Sequence, residues 1–237
     1  MNKGLKQGCC LSPTLFKIYL EQALKTWKRK CEQMGIPPND SILYTLCFAD
    51  DQIIQDYEDL EYMTRKLIEE YNKWGLEVNL KKTEYKCIGG EQQNIILEQQ
   101  QQEIKHCQKY KYLGMHITND GSLDEEIKYR NNQGRQAIRQ LNSILWDKAV
   151  SKENKHNIYN SIVKSIISYG SEVWPLKERN LKLLEATEMD FWRRAAEKSK
   201  LDRVRNERIQ NIMGVKHRIS EDIKINQLRW YGHVQRI

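Results

Sequence analysis

No stretch of the 237 residues comes near the roughly 18 consecutive apolar residues that a membrane-spanning helix needs. The N-terminal Met-Asn-Lys-Gly opens no apolar run of signal-peptide type. A membrane span and a secretory route are therefore set aside, and an intracellular chain is expected, with neither nucleus nor cytoplasm singled out. The six cysteines, Cys9, Cys10, Cys31, Cys47, Cys87 and Cys107, contain no C-x-x-C pair. No His stands at metal-ligand spacing from such a pair either, and reduced intracellular thiols are expected. His106 adjoins Cys107, but neighbours in a strand point to opposite faces and make a poor joint ligand set. There is no internal repeat of the kind that marks a solenoid, and no aspartate precedes Asp40.

What is present is a polar chain, 39% hydrophobic and 30% charged, long enough for one large or two modest cores. The net charge of +7 is unevenly spread. Residues 1–121 carry 16 basic and 17 acidic side chains (−1), residues 122–175 carry 8 and 6 (+2), and residues 176–237 carry 15 and 9 (+6). A basic end on a near-neutral first half suits a protein that holds a phosphate backbone, and equally suits solvated helices.

Apolar residues from Leu15 to Trp27 recur at helical spacing behind Ser12 and Pro13, which predicts a helix over about 13–30 with Ser12 as N-cap and Pro13 in the first turn. Gly35, Pro37, Pro38, Asn39 and Asp40 break the chain, and β-prone runs at 42–48 and 52–55 follow, joined through Asp50-Asp51 as a hairpin. The helical period returns from Leu60 to Trp74, with Gly75 where a C-terminal cap belongs. Short strands are expected at 76–79, 85–88, 95–97 and 110–117, with Gln99–Gln102 as a polar turn. After Asn119-Asp120-Gly121 strand signals vanish, and helices are expected at about 122–146, 152–169, 177–197, 202–213 and 220–235. The fold class is α+β, with a boundary near residue 121.

The most informative segment is Phe48-Ala49-Asp50-Asp51 between two apolar runs. Adjacent carboxylates at a bend repel one another, and a divalent cation such as Mg²⁺ offsets that repulsion. Aspartates also favour turns for their own hydrogen-bonding reasons. Upstream stand Gly4-Leu5-Lys6-Gln7-Gly8 and Leu11-Ser12-Pro13; downstream stand Gly75-Leu76-Glu77-Val78-Asn79 with Lys82-Thr83, then Tyr112-Leu113-Gly114. In this order and at these separations the blocks resemble the palm of reverse transcriptases, specifically those of non-LTR retrotransposons of the LINE class.

The resemblance implies a partial polymerase palm over 1–121, a small antiparallel sheet with helices on one face, followed by an all-helical, basic thumb-like region over 122–237. It implies Asp50 and Asp51 as catalytic, metal-ligating carboxylates, with Mg²⁺ or Mn²⁺ as cofactor; polymerases of this kind use two metals about 4 Å apart. Gln7, Gly8, Ser12, Pro13 and Lys82 fall at nucleotide- and template-binding positions, and Tyr112, Leu113 and Gly114 at the primer grip. An RNA template, a DNA primer and deoxynucleoside triphosphates are the implied partners; oligomeric state is left open. Segments 166–174 and 228–234 resemble patches from the region after the palm. Arg193, Arg194, Arg203, Arg205 and Arg208 are candidates for backbone phosphate, while Trp146, Trp174 and Trp192 are expected in the core.

The family's metal site also draws an aspartate from a strand ahead of the Gln-Gly loop, and only Met1, Asn2 and Lys3 precede Gly4. Neither that strand, nor the fingers, nor an endonuclease domain is visible in the sequence. The expectation is a truncated retroelement polymerase, inactive by itself; the alternative is a noncatalytic nucleic-acid-binding relic.

Overall fold

The computed structural model describes residues 4, 6, 8–32, 34–36, 42–48, 51–54, 59–87, 94–97, 102–175 and 177–236, with Phe48, Asp51 and Gln102 described in backbone only. The architecture is α+β. The chain divides into two compact units, Met1–Cys107 and Gln108–Ile237. The division falls ahead of the 121 boundary read from the sequence, so the 109–118 hairpin belongs with the helices.

In the first unit, α1 (Ser12–Lys30) packs on α2 (Leu60–Lys73). Helical spacing places Leu20, Ala23, Leu24 and Trp27 on one face of α1 against Met63, Leu67 and Tyr71 of α2. Trp27 is fully buried, and its indole N–H donates to the Met63 carbonyl at 2.9 Å, so its one polar atom is satisfied inside the core. Glu70 is buried beside them between the ammonium groups of Lys30 and Lys73. The other side of α1 leaves Leu11, Leu15 and Ile18 exposed. At its start, Leu11 rather than Ser12 is the N-cap; Ser12 lies inside the first turn and donates its hydroxyl to the Lys6 carbonyl at 2.7 Å.

Strands β1 (Thr45–Phe48) and β2 (Asp51–Ile54) form an antiparallel hairpin. A three-stranded mixed sheet, in the order β3-β5-β4, is built from Glu84–Tyr85, Ile95–Leu97 and Gln102–His106. Two sequence expectations give way here. The strand at 76–79 is absent, because α2 ends in a Schellman motif: Leu76 N–H bonds to Tyr71 O at 2.9 Å, Gly75 N–H to Asn72 O at 3.1 Å, and Gly75 takes φ +69°. The chain then turns again through Lys82 N–H to Asn79 O at 2.9 Å. Conversely, Gln102 is not part of a polar turn but opens β5, whose Ile104 is buried between exposed Glu103 and Lys105.

The second unit begins with the antiparallel hairpin β6 (Lys109–Tyr112) and β7 (Met115–Thr118). Helices α3 (Asp124–Gln140), α4 (Asn142–Trp146), α5 (Lys152–Ile158), α6 (Ser165–Ile167), α7 (Glu178–Ala195), α8 (Asn206–Met213) and α9 (Ile219–Val234) follow. The expected 122–146 helix is interrupted at Leu141, and that at 152–169 widens into a π-helical stretch over Tyr159–Lys164. There Ser161, Ser165 and Ser168 donate back to carbonyls four residues earlier, at 2.6, 2.8 and 2.7 Å. Gly134 in mid-α3 is set by this approach, since an added Cβ would stand 2.1 Å from Cγ2 of buried Ile167. The core gathers around Phe191 and Trp192 of α7, with Tyr159, Ile138, Leu184, Ile209, Ile219 and Ile223. Trp174 is buried as expected, whereas Trp146 is 38% exposed.

Glu188 is buried at the centre, accepting from Tyr159 Oη at 2.7 Å, Trp192 Nε1 at 3.4 Å and the first amide of α9, Ile219 N, at 3.0 Å. Burial pushes its carboxyl above the ordinary value. Asp124, at the start of α3, accepts from Lys177 and Asn180 at 2.8 Å each and from Arg179, tying α3 to the start of α7. The Lys177 ammonium first, then Asn180 and Arg179, hold that carboxyl well below the carboxylate range.

Candidate functional site

The β1–β2 register runs Thr45↔Ile54, Leu46↔Ile53, Cys47↔Gln52 and Phe48↔Asp51. Two residues, Ala49 and Asp50, therefore separate the strands, and both lie outside the described residues. Asp51 opens β2 rather than belonging to the connection. The hairpin is anchored from its inner side: Tyr71 donates its hydroxyl to Gln52 Oε1 at 2.5 Å, Ile54 packs on the α1–α2 core, and Thr45 Oγ1 donates to Ile53 O at 2.7 Å. Burial drives the Tyr71 hydroxyl far above its ordinary pKa, so it remains a donor.

Gln7 lies outside the described residues; Gly8 is exposed with φ +86°, and nothing would obstruct a Cβ there. The glycine serves a left-handed turn, followed by Cys9 N–H to Lys6 O at 3.3 Å. Pro13 is exposed in the first turn of α1. Lys82 is exposed on the turn fixed by Asn79, whose carbonyl also accepts Thr83 Oγ1 at 3.0 Å.

In the second unit, Tyr112 and Met115 close the β6–β7 hairpin over Leu113 and Gly114, with φ +47° and +83°. Positive φ at both positions is the pattern of a type I′ turn, to which a leucine is ill suited. Its surroundings hold it. Tyr169 donates its hydroxyl to Leu113 O at 2.7 Å, Arg130 donates to Gly114 O, and the Arg130 guanidinium lies 4.3 Å from the centre of the Tyr169 ring. Arg130 also donates to Glu126 at 2.6 Å, and Glu126 accepts from the His116 backbone at 3.0 Å and contacts its ring nitrogen at 2.8 Å. Burial pushes the Glu126 carboxyl up, but Arg130 and His116 outweigh it and hold it below its ordinary value. Arg130, Glu126 and His116 escaped the sequence reading, although Glu126 and Arg130 stand at the i, i+4 spacing of a helical ion pair.

The candidate phosphate-binding arginines differ in their surroundings. Arg193 donates to Val204 O and Asn206 Oδ1, each at 2.7 Å, and Arg194 to Asp190 at 3.2 Å and to Asn142. Both serve internal contacts. Arg203, Arg205 and Arg208 are exposed, and Arg205 and Arg208 line a shallow depression with Glu207, Asn211 and Ile212.

Among the described residues no three His, Cys, Asp or Glu side chains converge as a metal site. At the β1–β2 hairpin, Asp51 is described in backbone only and Asp50 lies outside the described residues. No helix among the described residues is long and apolar enough to cross a membrane.

Compared with known proteins, the chain matches no curated sequence. A family model described as reverse transcriptase (RNA-dependent DNA polymerase) matches residues 1–117, and it is to this family that the first unit and the β6–β7 hairpin are similar.

Proposed function

We propose that the chain carries part of the palm of an RNA-directed DNA polymerase of a non-LTR, LINE-type retrotransposon, followed by a thumb-like helical region. The observation that supports this reading is the antiparallel β1–β2 hairpin within the matched 1–117 stretch, in which Asp51 opens β2 opposite Phe48. The parent reaction is attack of a primer 3′-oxygen on the α-phosphorus of a deoxynucleoside triphosphate, with pyrophosphate leaving, on an RNA template. Asp50 and Asp51 would hold a Mg²⁺ or Mn²⁺ ion, which offsets charge on the triphosphate when bound. Gln7, Gly8, Ser12, Pro13 and Lys82 would border the nucleotide and template. Tyr112, Leu113 and Gly114 would position the primer end, fixed by the Arg130–Tyr169 clamp.

Asp50 and Asp51 are the two metal-holding carboxylates this reading assigns to these 237 residues, and by themselves they are expected to support no extension. Primer extension on an RNA template with Mg²⁺ tests the reading. The expected result is no product from the chain alone, and product when a polypeptide bearing the upstream aspartate strand is joined to it in frame. That product should disappear with Asp50→Ala. Extension by the 237-residue chain alone, or extension insensitive to Asp50→Ala and Asp51→Ala, overturns it. A noncatalytic nucleic-acid-binding role is favoured instead if steeply salt-dependent binding survives both substitutions while the joined polypeptide never extends.

A further inference from the structure

Helix α9 is anchored along one face. Ile219 and Ile223 are buried in the core, and Gln227 donates to Ser171 O and Trp174 O at 3.0 and 2.8 Å. On another side, Glu221, Lys224, Leu228 and Tyr231, followed by the C-cap Gln235, recur at alternating intervals of three and four residues, which keeps their side chains on one stripe of the helix. All five are exposed, Leu228 by 70% and Tyr231 by 63%. Half-buried Ile225 and Gly232 border the stripe, and an added Cβ at Gly232 would meet nothing within 4 Å, so the helix backbone can be approached closely there. Ile225, Leu228 and Tyr231 thus form an apolar patch that gains by leaving water. The two ends of the stripe differ in charge. Glu221 stands near its start, whereas the sequence has no acidic residue after Asp222 and carries Arg236 near its end. Asp222 is held by Lys164 at 2.6 Å, and Arg236 is exposed and, among the described residues, in no ion pair.

The geometry points to a second copy of this chain as the occupant of the patch: α9 is the contact of a weak, two-fold symmetric dimer in which the two helices cross antiparallel at Leu228. Leu228 then lies on the axis against Leu228 of the second copy, Ile225 meets Tyr231 of the second copy, the Lys224 stem passes over its Gly232, and Glu221 stands beside its Gln235 and Arg236. The acidic start of one stripe is thereby set on the basic end of the other. A parallel pair would instead set Glu221 against Glu221 and Lys224 against Lys224. One helix pair is a small contact by the standard of permanent assemblies, so the dimer exchanges with monomer. It draws on none of the polymerase reading, whose matched stretch ends at residue 117.

Analytical ultracentrifugation of the full chain over a range of concentrations tests this. The expected result is a reversible monomer–dimer equilibrium. Leu228→Glu should weaken it at least roughly 30-fold, because one substitution removes two leucines from the interface. Circular dichroism and the melting temperature of the dilute monomer should not change, since Leu228 is exposed. A charge exchange reads the orientation. Tyr231→Lys should weaken the dimer by setting a second ammonium near Lys224 of the other copy, and adding Lys224→Glu should tighten it again by roughly 2- to 30-fold through two exposed ion pairs. In a parallel pair the same double variant would oppose like charges and tighten nothing. The proposal is overturned if the parent chain stays monomeric up to about 1 mM, which would leave the patch to a different protein. It is also overturned if association survives Leu228→Glu, or if the double variant associates no better than Tyr231→Lys.

Discussion

Replacing Gly134 with alanine should destabilise the second unit, against the usual effect of that substitution in a helix. In an open helix it gains about 1 kcal/mol from propensity. Here the new Cβ would lie 2.1 Å from Ile167 Cγ2. Carbon atoms rest no closer than about 3.5 Å, so α3 and α6 would have to separate by about 1.4 Å (3.5 − 2.1) or Ile167 would have to leave its rotamer. Ile167 is completely buried and has no open side to move into. Overpacking of this kind costs up to about 3 kcal/mol, leaving a net loss of about 2 kcal/mol after the helical gain. At roughly 4 °C per kcal/mol for a unit of this size, the melting temperature should fall by about 8 °C. Ile167→Ala alone should cost about 2–5 kcal/mol through its cavity. In the double variant the alanine Cβ enters that cavity, so the two losses should fall short of additivity by at least about 1 kcal/mol. Urea titrations of the four proteins, followed by near-ultraviolet circular dichroism, measure the cycle. A Gly134→Ala protein as stable as the parent, with additive losses in the double variant, would refute the close-packing argument.

The turn clamp and the buried carboxylate give two further expectations. Tyr169→Phe removes the 2.7 Å hydrogen bond to Leu113 O and should cost about 0.5–1.5 kcal/mol, visible as faster amide exchange across the β6–β7 turn. Glu188 has a folded-state pKa above its unfolded value, so its contribution is present in full below the unfolded pKa of about 4.3 and is lost as pH rises through the raised value. Glu188→Gln should flatten the pH dependence of the unfolding free energy in that window. An unchanged slope would assign the dependence to another group.

Where one face of an element meets a core, its apolar spacing is legible in the sequence. Leu20, Leu24 and Trp27 marked α1 at helical spacing, Gly75 marked the end of α2, and Ile95–Leu97 marked β4. The hairpin carrying Asp51 was legible because its two β-prone runs lie so close together. Other features were hidden by tertiary contacts. The 76–79 run is apolar because Leu76 and Val78 pack on the core from a turn, not because they pair in a sheet. Strand β5 was masked by glutamines, although its single buried Ile104 alternates with polar neighbours. The Arg130–Tyr169 clamp joins residues far apart in sequence, and nothing local to either announces the Leu113–Gly114 turn as its target.

The placement of the β6–β7 hairpin has a consequence for any dissection of the chain. A fragment starting at residue 122 would keep α3 but strip the fully buried Glu126 of both His116 contacts, and leave Arg130 and Tyr169 with no peptide oxygens to grip. Cutting between Cys107 and Gln108 instead carries the hairpin along with its supports. The helical half can thus be excised cleanly only if it takes with it the last strands of the region that looks like polymerase, so the family likeness and the folding unit have different edges.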